Sequence, residues 1–573
     1  MRKTNLLWAA GFLVLWLMPV LINTRLPTPT QQILYGQSIV LSLCLCFVVL
    51  SSFKSMHWPF LLGIPVMGLW WPAEMYMRTR YGQPLGSNAI ALIFETNRQE
   101  LMEQFLANWH LVFFGIAVSS GFLLLGAFFL YRSKARWYGN SRFLILTVSI
   151  SMIALILAQY MPYSNAGQDS SADSAAVTKS PFDDAILDVY PLNVATALMD
   201  IREHRIIVAQ AQTSMHGFDF GAKANSAYSA DIVVLVVGES AKAKRWQLYG
   251  AERETTPFLA KEKNLIVLQD VIAPAVSTRV AVPAIVSRKP FIEPTGNHIA
   301  SGAEPSIARA FEQAGYATYW WSNQAITGIY DTSTAIYASH SQQTLWLNPV
   351  STNVFNPGKS TYDSVLLSPF EKILNTSGRK FVVMHTMGSH FNYRDRYPAE
   401  FNRFYSSVEF NGMNTYGSGN KVDFQNAYDN SIIYTDWLLH EIFEKLRTLP
   451  QSAMVFYISD HGEDIWDEAC FQIDIDRRSA ASYHVPALVW FNDKAILTFD
   501  DTFNAIKANA SLPLVSGYMP QTIMSAAGIL VRSPDKRDLT HANITLQTRM
   551  VAGFSGEMVD YDKAKQENYC DIR

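Results

Sequence analysis

Residues Asp231-Ile-Val-Val-Leu-Val-Val-Gly238-Glu239-Ser240 decide the fold. An unbroken apolar run, mostly β-branched and without polar alternation, reads as a strand buried on both faces, as in a parallel sheet. The run ends in a glycine and then delivers a carboxylate, Glu239. In open parallel sheets ligands collect just beyond the carboxyl ends of the strands, so the residues that follow each such run are the informative ones.

Two more runs repeat the pattern. Ala453–Ile458 leads into Asp460-His461-Gly462-Glu463-Asp464, and Phe381–Met384 leads into His385-Thr386-Met387-Gly388-Ser389-His390. Leu265–Leu268, Ala317–Trp321 and Ala487–Phe491 are further strand candidates, while Pro305–Ala314 and Asn426–Thr448 carry apolar residues at helical spacing. This alternation predicts an α/β domain over residues 228–573, with a mostly parallel central sheet covered on both faces. Three strands bring acids and imidazoles to one edge, and carboxylate oxygens with an imidazole nitrogen form a donor set for Zn²⁺ or Mn²⁺.

Upstream the composition changes. Five apolar runs crowd into residues 1–163: Leu6–Ile22, Ser38–Phe53, Trp58–Met77, Leu111–Tyr131 and Phe143–Met161. Each approaches the ~20 residues that cross a bilayer as a helix, the second being short. Met1-Arg2-Lys3 and the first run resemble a signal peptide, but Asn23-Thr24-Arg25-Leu26-Pro27 offers no small-x-small cleavage site, so a retained anchor is expected. Arg2 and Lys3, then Lys54, then Arg132, Lys134, Arg136 and Arg142 fall on alternate loops, which places those loops in the cytoplasm. Five crossings then put everything after Tyr163 outside it. Residues 164–180 read as a Ser/Ala/Asp/Gly linker, and Asp183–Gln212 as a helix, within a connecting region that ends at 227.

The whole chain agrees with this division. Charged residues make up 17% and hydrophobic ones 49%, a balance that suits membrane segments joined to a soluble domain. Net charge is −3 with no long basic run, so no nucleic-acid partner is expected. Four cysteines exclude a disulfide scaffold; Cys470 and Cys570 either pair or remain free thiols.

Several further motifs follow in a fixed order. After Val-Val-Gly-Glu-Ser come Leu248-Tyr-Gly250, Arg253-Glu-Thr-Thr-Pro257-Phe-Leu259, Ser277-Thr278-Arg-Val-Ala-Val-Pro283, His385-Thr-Met-Gly-Ser-His390, Ala427-Tyr-Asp-Asn-Ser431 and Asp460-His-Gly-Glu463. In these residues, and in the plan of membrane helices, linker and hydrolase-like domain, the chain resembles the membrane-bound phosphoethanolamine transferases of the alkaline-phosphatase and sulfatase superfamily. The resemblance implies that Glu239, Thr278, Asp460 and His461 bind zinc at one tight site, with manganese as the alternative metal. It also implies that Thr278 attacks phosphorus and carries a phosphothreonine intermediate. Ser277, next to it, is the rival nucleophile. His390 is expected to contact the phosphoryl group, serve as acid or base, or hold a second, weaker metal; Glu463 belongs to the same surroundings. Thr96 and Glu100 match a donor-binding Thr-x-x-x-Glu pair. Phosphatidylethanolamine is the implied donor, lipopolysaccharide or a glycan the acceptor, and a monomer in a bacterial inner membrane the expected state, with its catalytic domain in the periplasm.

The departures matter too. Residues 465–482 contain no histidine where lipid A-modifying members keep one, so that role is vacant or falls to His484, which otherwise reads as a packed histidine before a strand. Pro274 and Ala284 stand near the places of the cysteines that flank the nucleophile in those members, and Trp321-Ser-Asn323-Gln324 looks closer to the lipopolysaccharide-core or periplasmic-glucan branch. Thr278-Arg-Val-Ala-Val lacks the Cys/Ser-x-Pro-x-Arg needed for formylglycine, which disfavours sulfatase activity. A glycerophosphate transferase using phosphatidylglycerol, and a non-enzymatic membrane sensor with a degenerate hydrolase domain, are the rival readings.

Overall fold

A computed structural model describes residues 3–22, 29–81, 85, 98–158, 189–225, 228–294, 302–324, 333–348, 361–391, 393–405, 421–465, 470, 479–542, 544, 546–553 and 557–572. The chain divides into two compact units: Met1–Phe94 with Gln104–Glu203, and Glu95–Glu103 with His204–Arg573.

The first unit is helical, and its helices overlap the apolar runs: Lys3–Leu21, Pro29–Ser52, Arg98–Arg132 from Gln104 onward, Asn140–Ala158, and a stretch from His57 to Tyr81 that passes through a π-helical turn at Ile64–Gly68; Pro29–Ser52 and Arg98–Arg132 begin well before their runs. Phe12, Trp16, Leu50, Phe60, Met67 and Leu123 form its packed interior. Leu7, Phe114, Leu144 and Leu155 of the same helices are exposed, so apolar side chains face outward as well as inward. Among the described residues one helix, Phe114–Arg132, is long and apolar enough to cross a membrane; Asn5–Leu21, Gly36–Ser52 and Asn140–Ile156 are apolar but shorter. The Glu74 carboxylate is buried and compensated by Arg78 at 2.5 Å, Asn193 Nδ2 at 2.9 Å and the Leu85 amide at 2.9 Å. The helix expected over Asp183–Gln212 runs from Leu192 to His216. Pro191 stands just before it, where its missing amide hydrogen costs no helical bond.

The second unit holds a seven-stranded sheet. Its strands are β1 (Ile232–Gly238), β2 (Leu265–Leu268), β3 (Ala317–Ser322), β4 (Gln343–Trp346), β5 (Lys380–His385), β6 (Ala453–Ser459) and β7 (Ala487–Phe491). Their order is β2-β7-β6-β1-β5-β3-β4. β7 runs antiparallel to both neighbours and the remaining pairings are parallel, so the sheet is mostly parallel as expected. β1 lies at its centre, paired with β5 and β6 along its length, and every residue from Ile232 to Gly238 is buried.

Side chains of β1 alternate between two cores. Val233, Leu235 and Val237 face one together with Val282, Ile285 and Phe311; Ile232, Val234 and Val236 face the other with Tyr428, Leu438 and Leu439. Helix Thr278–Val286 packs into the first core and helix Lys421–Arg447 into the second. Two-sided burial explains why β1 has no polar alternation.

Candidate active site

Because β1, β5 and β6 are adjacent and parallel, their carboxyl ends share one edge, where Val237 pairs with His385 and Gly238 with Ser459. Glu239 follows β1 and Asp460 and His461 follow β6, and ligand atoms of these three lie within 4.8 Å of one another. His461 Nε2 is 3.6 Å from Glu239 Oε1 and 3.5 Å from Asp460 Oδ2. Thr278, the first residue of its helix, brings Oγ1 to 3.2 Å from both Glu239 oxygens and 3.5 Å from His461 Nε2. Glu239, Asp460 and His461 are buried, whereas Thr278 is half-buried.

Local hydrogen bonds fix these positions. Ser240 adopts a left-handed backbone (φ 55°), reversing the chain directly after Glu239. Its amide donates to Asp460 Oδ1 at 2.9 Å, its hydroxyl to Glu239 Oε1 at 2.8 Å, and its carbonyl accepts from the Tyr428 hydroxyl at 2.7 Å. Strain of this kind persists only where surrounding bonds over-determine the turn. The Ala427–Ser431 motif is therefore scaffold. Tyr428 holds that turn, Asp429 pairs with Arg245 and Arg253, and the Ser431 hydroxyl donates to Ser389 at 2.8 Å. In the Arg253–Leu259 motif, the Phe258 and Leu259 amides donate to Asp436, each at 2.9 Å.

The three clustered residues suit a divalent cation. A carbonyl only accepts, so the contact of His461 Nδ1 with the Gly462 oxygen at 3.1 Å places the proton on Nδ1 and leaves the Nε2 lone pair facing the two carboxylates. No donor reaches Asp460 Oδ2 in hydrogen-bonding geometry among the described residues. Burial, then the neighbouring Asp460 charge, pushes the Glu239 carboxyl up to about 8, and burial pushes Asp460 up to about 6. Two crowded carboxylates and an imidazole lone pair, all turned to one point, are what a Zn²⁺-like ion relieves.

The other expected residues are placed as follows. His390 is half-buried on the loop after β5, with Nδ1 3.4 Å from the Phe391 carbonyl. Glu463 is buried and accepts the Tyr393 hydroxyl. His484 is not one of the three clustered residues; its Nε2 is 3.0 Å from the Gln269 carbonyl and its ring is edge-on to Tyr249. His385 is fully buried beside Ser322, and burial holds its imidazole down to about 3, which suits a neutral packing role. Thr96 and the side chain of Glu100 lie outside the described residues. Cys470 and Cys570 are disulfide-bonded.

Two residues join the site that were not among the expected site residues, Gln324 of the Trp321–Gln324 stretch and Asp363. Gln324, just past β3, donates from Nε2 to Glu239 Oε2 at 2.9 Å and to the Thr386 carbonyl at 3.2 Å. Buried Asp363 accepts the Met387 and Gly388 amides at 2.8 and 2.9 Å, shaping the loop that packs on Glu239. In the sequence Gln324 carries only the resemblance of its stretch to one branch; its place after a strand points to the site once β3 is known to neighbour β5.

The Sulfatase family model matches residues 231–529. Phosphoethanolamine transferase EptC of Escherichia coli (strain K12) is 27% identical over 272 residues, covering 46% of this chain and 45% of that protein, so the chain spans about half the length of such curated relatives. Among solved structures, the C-terminal periplasmic domain of EptC from Escherichia coli in complex with Zn aligns with TM-score 0.51 and 23% identity, over 61% of this chain and 98% of that one. The integral membrane protein lipooligosaccharide phosphoethanolamine transferase A of Neisseria meningitidis aligns with TM-score 0.66 and 19% identity, over 94% and 97%. At these identities the structural likeness speaks for the fold, of the helical part as well as the α/β part. Through the match over just over half of its length, the chain belongs to the Sulfatase family.

Proposed function

We propose that this protein is a bacterial inner-membrane phosphoethanolamine transferase that takes the group from phosphatidylethanolamine, holds it on Thr278, and passes it to lipopolysaccharide. One observation carries the reading: a half-buried threonine hydroxyl at a helix N-terminus, 3.2 Å from the buried Glu239 that clusters with Asp460 and His461. The names of the relatives point to the same group and the same class of acceptor. Exposed apolar residues on the N-terminal helices suit lipid, and the Cys470–Cys570 bond suits an oxidising compartment such as the periplasm. The working unit is a monomer, with Thr96 and Glu100 contacting the donor headgroup.

Glu239, Asp460, His461 and Thr278 would hold the zinc. When bound, the ion lowers the pKa of the threonine hydroxyl and offsets charge on the phosphoryl oxygens. In the first step Thr278 Oγ1 bonds to phosphorus, the bond from phosphorus to the glyceryl oxygen breaks, and diacylglycerol leaves with the proton. In the second, an acceptor oxygen bonds to the same phosphorus and Thr278 leaves, regaining its proton. The positive end of the Thr278–Val286 helix faces the developing negative charge. His390 exchanges the proton or contacts the phosphoryl group, and Glu463 braces its surroundings through Tyr393.

Full-length enzyme given labelled phosphatidylethanolamine and, separately, labelled phosphatidylglycerol tests the donor. Transfer of ethanolamine label to lipopolysaccharide supports the reading. Transfer of glycerophosphate label alone would replace it with the rival transferase.

A further inference from the structure

Two short loops of the helical unit are tied to each other. Residues 53–56 follow helix Pro29–Ser52, and residues 133–139 join helix Arg98–Arg132 to helix Asn140–Ala158. Ser55 and Arg136 form an antiparallel bridge; the Met56 amide donates to the Ala135 carbonyl at 3.1 Å, and the Trp137 amide to the Lys54 carbonyl at 2.8 Å. Met56 and Ala135 belong to the packed interior, which anchors the pair of loops.

Five basic residues surround this bridge. Lys54, Arg132, Lys134 and Arg136 are exposed, and Arg142 is half-buried. Among the described residues their partners are rings, not carboxylates. Lys54 Nζ stands 4.9 Å from the centre of the Tyr138 ring, and Arg136 donates to the Tyr138 hydroxyl at 3.1 Å. The Arg132 and Arg142 guanidinium groups lie 5.9 and 4.7 Å from the rings of Phe128 and Phe143. Sequence extends the point, because residues 1–73 and 104–168 contain no aspartate or glutamate. At 1.5 Å per helical residue, Glu74 lies about 25 Å along its helical stretch from His57, and helix Asn140–Ala158 carries the chain about 27 Å before the first acid after it, Asp169.

Helix preferences do not account for these charges. The Ala135 amide donates to the Leu130 carbonyl at 2.9 Å and the Lys134 amide to the Tyr131 carbonyl at 3.0 Å, the paired bonds of a helix end that favours glycine. Lys134 fills its left-handed position (φ 48°), which disfavours any L side chain. Arg142 sits in the first turn of its helix, where the dipole repels a cation.

The surface beside the charges is apolar. Phe128, Phe129 and Tyr131 are exposed where one helix ends, and Phe143 and Leu144 where the next begins. An acidic soluble partner would match the charges and leave these side chains in water, whereas a phospholipid matches both. Clusters of about four to eight Lys and Arg beside a membrane helix attract anionic headgroups, and aromatic rings favour the same layer. We infer that the loop pair around the Ser55–Arg136 bridge holds an anionic phospholipid, with its phosphate on Lys54, Lys134 and Arg136 and its acyl chains along the exposed aromatic residues. The inference rests on the membrane reading of the helical unit above, and is independent of the donor and of the transfer chemistry.

Native mass spectrometry tests this on full-length protein stripped of lipid in detergent, then titrated with dioleoylphosphatidylglycerol, dioleoylphosphatidylcholine and glycerol 3-phosphate. The wild type should hold phosphatidylglycerol at least 10-fold more tightly than phosphatidylcholine, and should not retain glycerol 3-phosphate. Phosphatidylglycerol is also the rival donor, so variants decide where it binds. Lys54→Gln/Arg136→Gln should lose at least 10-fold in that affinity. Lys134→Gly installs the residue that the backbone favours, so it should bind the lipid more weakly with no fall in the melting temperature of the lipid-free protein. If the double variant does not fold, Lys134→Gly carries the comparison. Unchanged affinity in the folded variants overturns the inference, as does glycerol 3-phosphate binding as tightly as the lipid. Equal retention of both lipids overturns it and leaves the membrane reading standing; a chain that stays monodisperse without detergent and retains neither lipid overturns both.

Discussion

Gly388 lies directly against the backbone of Glu239: a Cβ added to Gly388 would stand 2.8 Å from the Glu239 carbonyl oxygen and 2.9 Å from its nitrogen, and φ at Gly388 is +46°. The loop after β5 thus presses on the turn that aims the Glu239 carboxylate, and the following amide, Ser389, donates to the same carbonyl at 2.9 Å. Gly388→Ala should cost about 1–2 kcal/mol from left-handed backbone strain alone, and displace Glu239 besides. Urea unfolding and zinc titration of the variant should show both losses. Wild-type zinc affinity would mean that the close approach does not position Glu239.

Gln324 should prove a positioning residue. It fixes one oxygen of Glu239, and partners of metal ligands are commonly worth about 10–100-fold in affinity. Gln324→Leu should weaken zinc binding by that order in a chelator competition. Gln324→Glu, which brings a second negative charge to Glu239, should alter it in a pH-dependent way. A purely structural role would instead lower the melting temperature and leave the zinc affinity of the folded protein intact.

Asp460→Ala and His461→Ala each remove a member of the buried cluster while leaving β6 and its neighbours in place. Both should lower bound zinc and abolish transfer with little change in circular dichroism. Normal zinc content and normal turnover in both variants would remove the proposed metal site.

The Cys470–Cys570 bond closes a loop with a sequence separation of 100. Cross-links over loops of this size typically contribute about 2–5 kcal/mol. Cys470→Ser should therefore lower the urea midpoint in oxidising buffer, and added reductant should have no further effect on it. An unchanged midpoint would show that the bond does not hold this part of the domain.

The sequence reveals the sheet because burial writes itself into composition: β1 has no polar residue between Ile232 and Val237, and its neighbours repeat the pattern. Glu239, Asp460 and His461, which the structure brings together, are legible as candidates because they sit at strand ends next to those runs. The edge strand β4 was missed, since alternating exposure leaves Gln343–Trp346 without a continuous apolar signature. The contacts of Gln324 and Asp363 with the site depend on which strands become neighbours, a relation between residues far apart in sequence. The pairing of Cys470 with Cys570 was undecided for the same reason. His484 carries an ambiguous local pattern, and its place beside Tyr249 and Gln269 emerges from tertiary packing.

The most direct measurement is mass spectrometry of the intact protein after incubation with phosphatidylethanolamine and no acceptor, quenched at low temperature. The account predicts release of diacylglycerol, a mass increase of one phosphoethanolamine group mapped to Thr278, and loss of both the adduct and transfer in Thr278→Ala. An adduct on Ser277 would move the nucleophile by one residue; full transfer activity in Thr278→Ala would contradict the account.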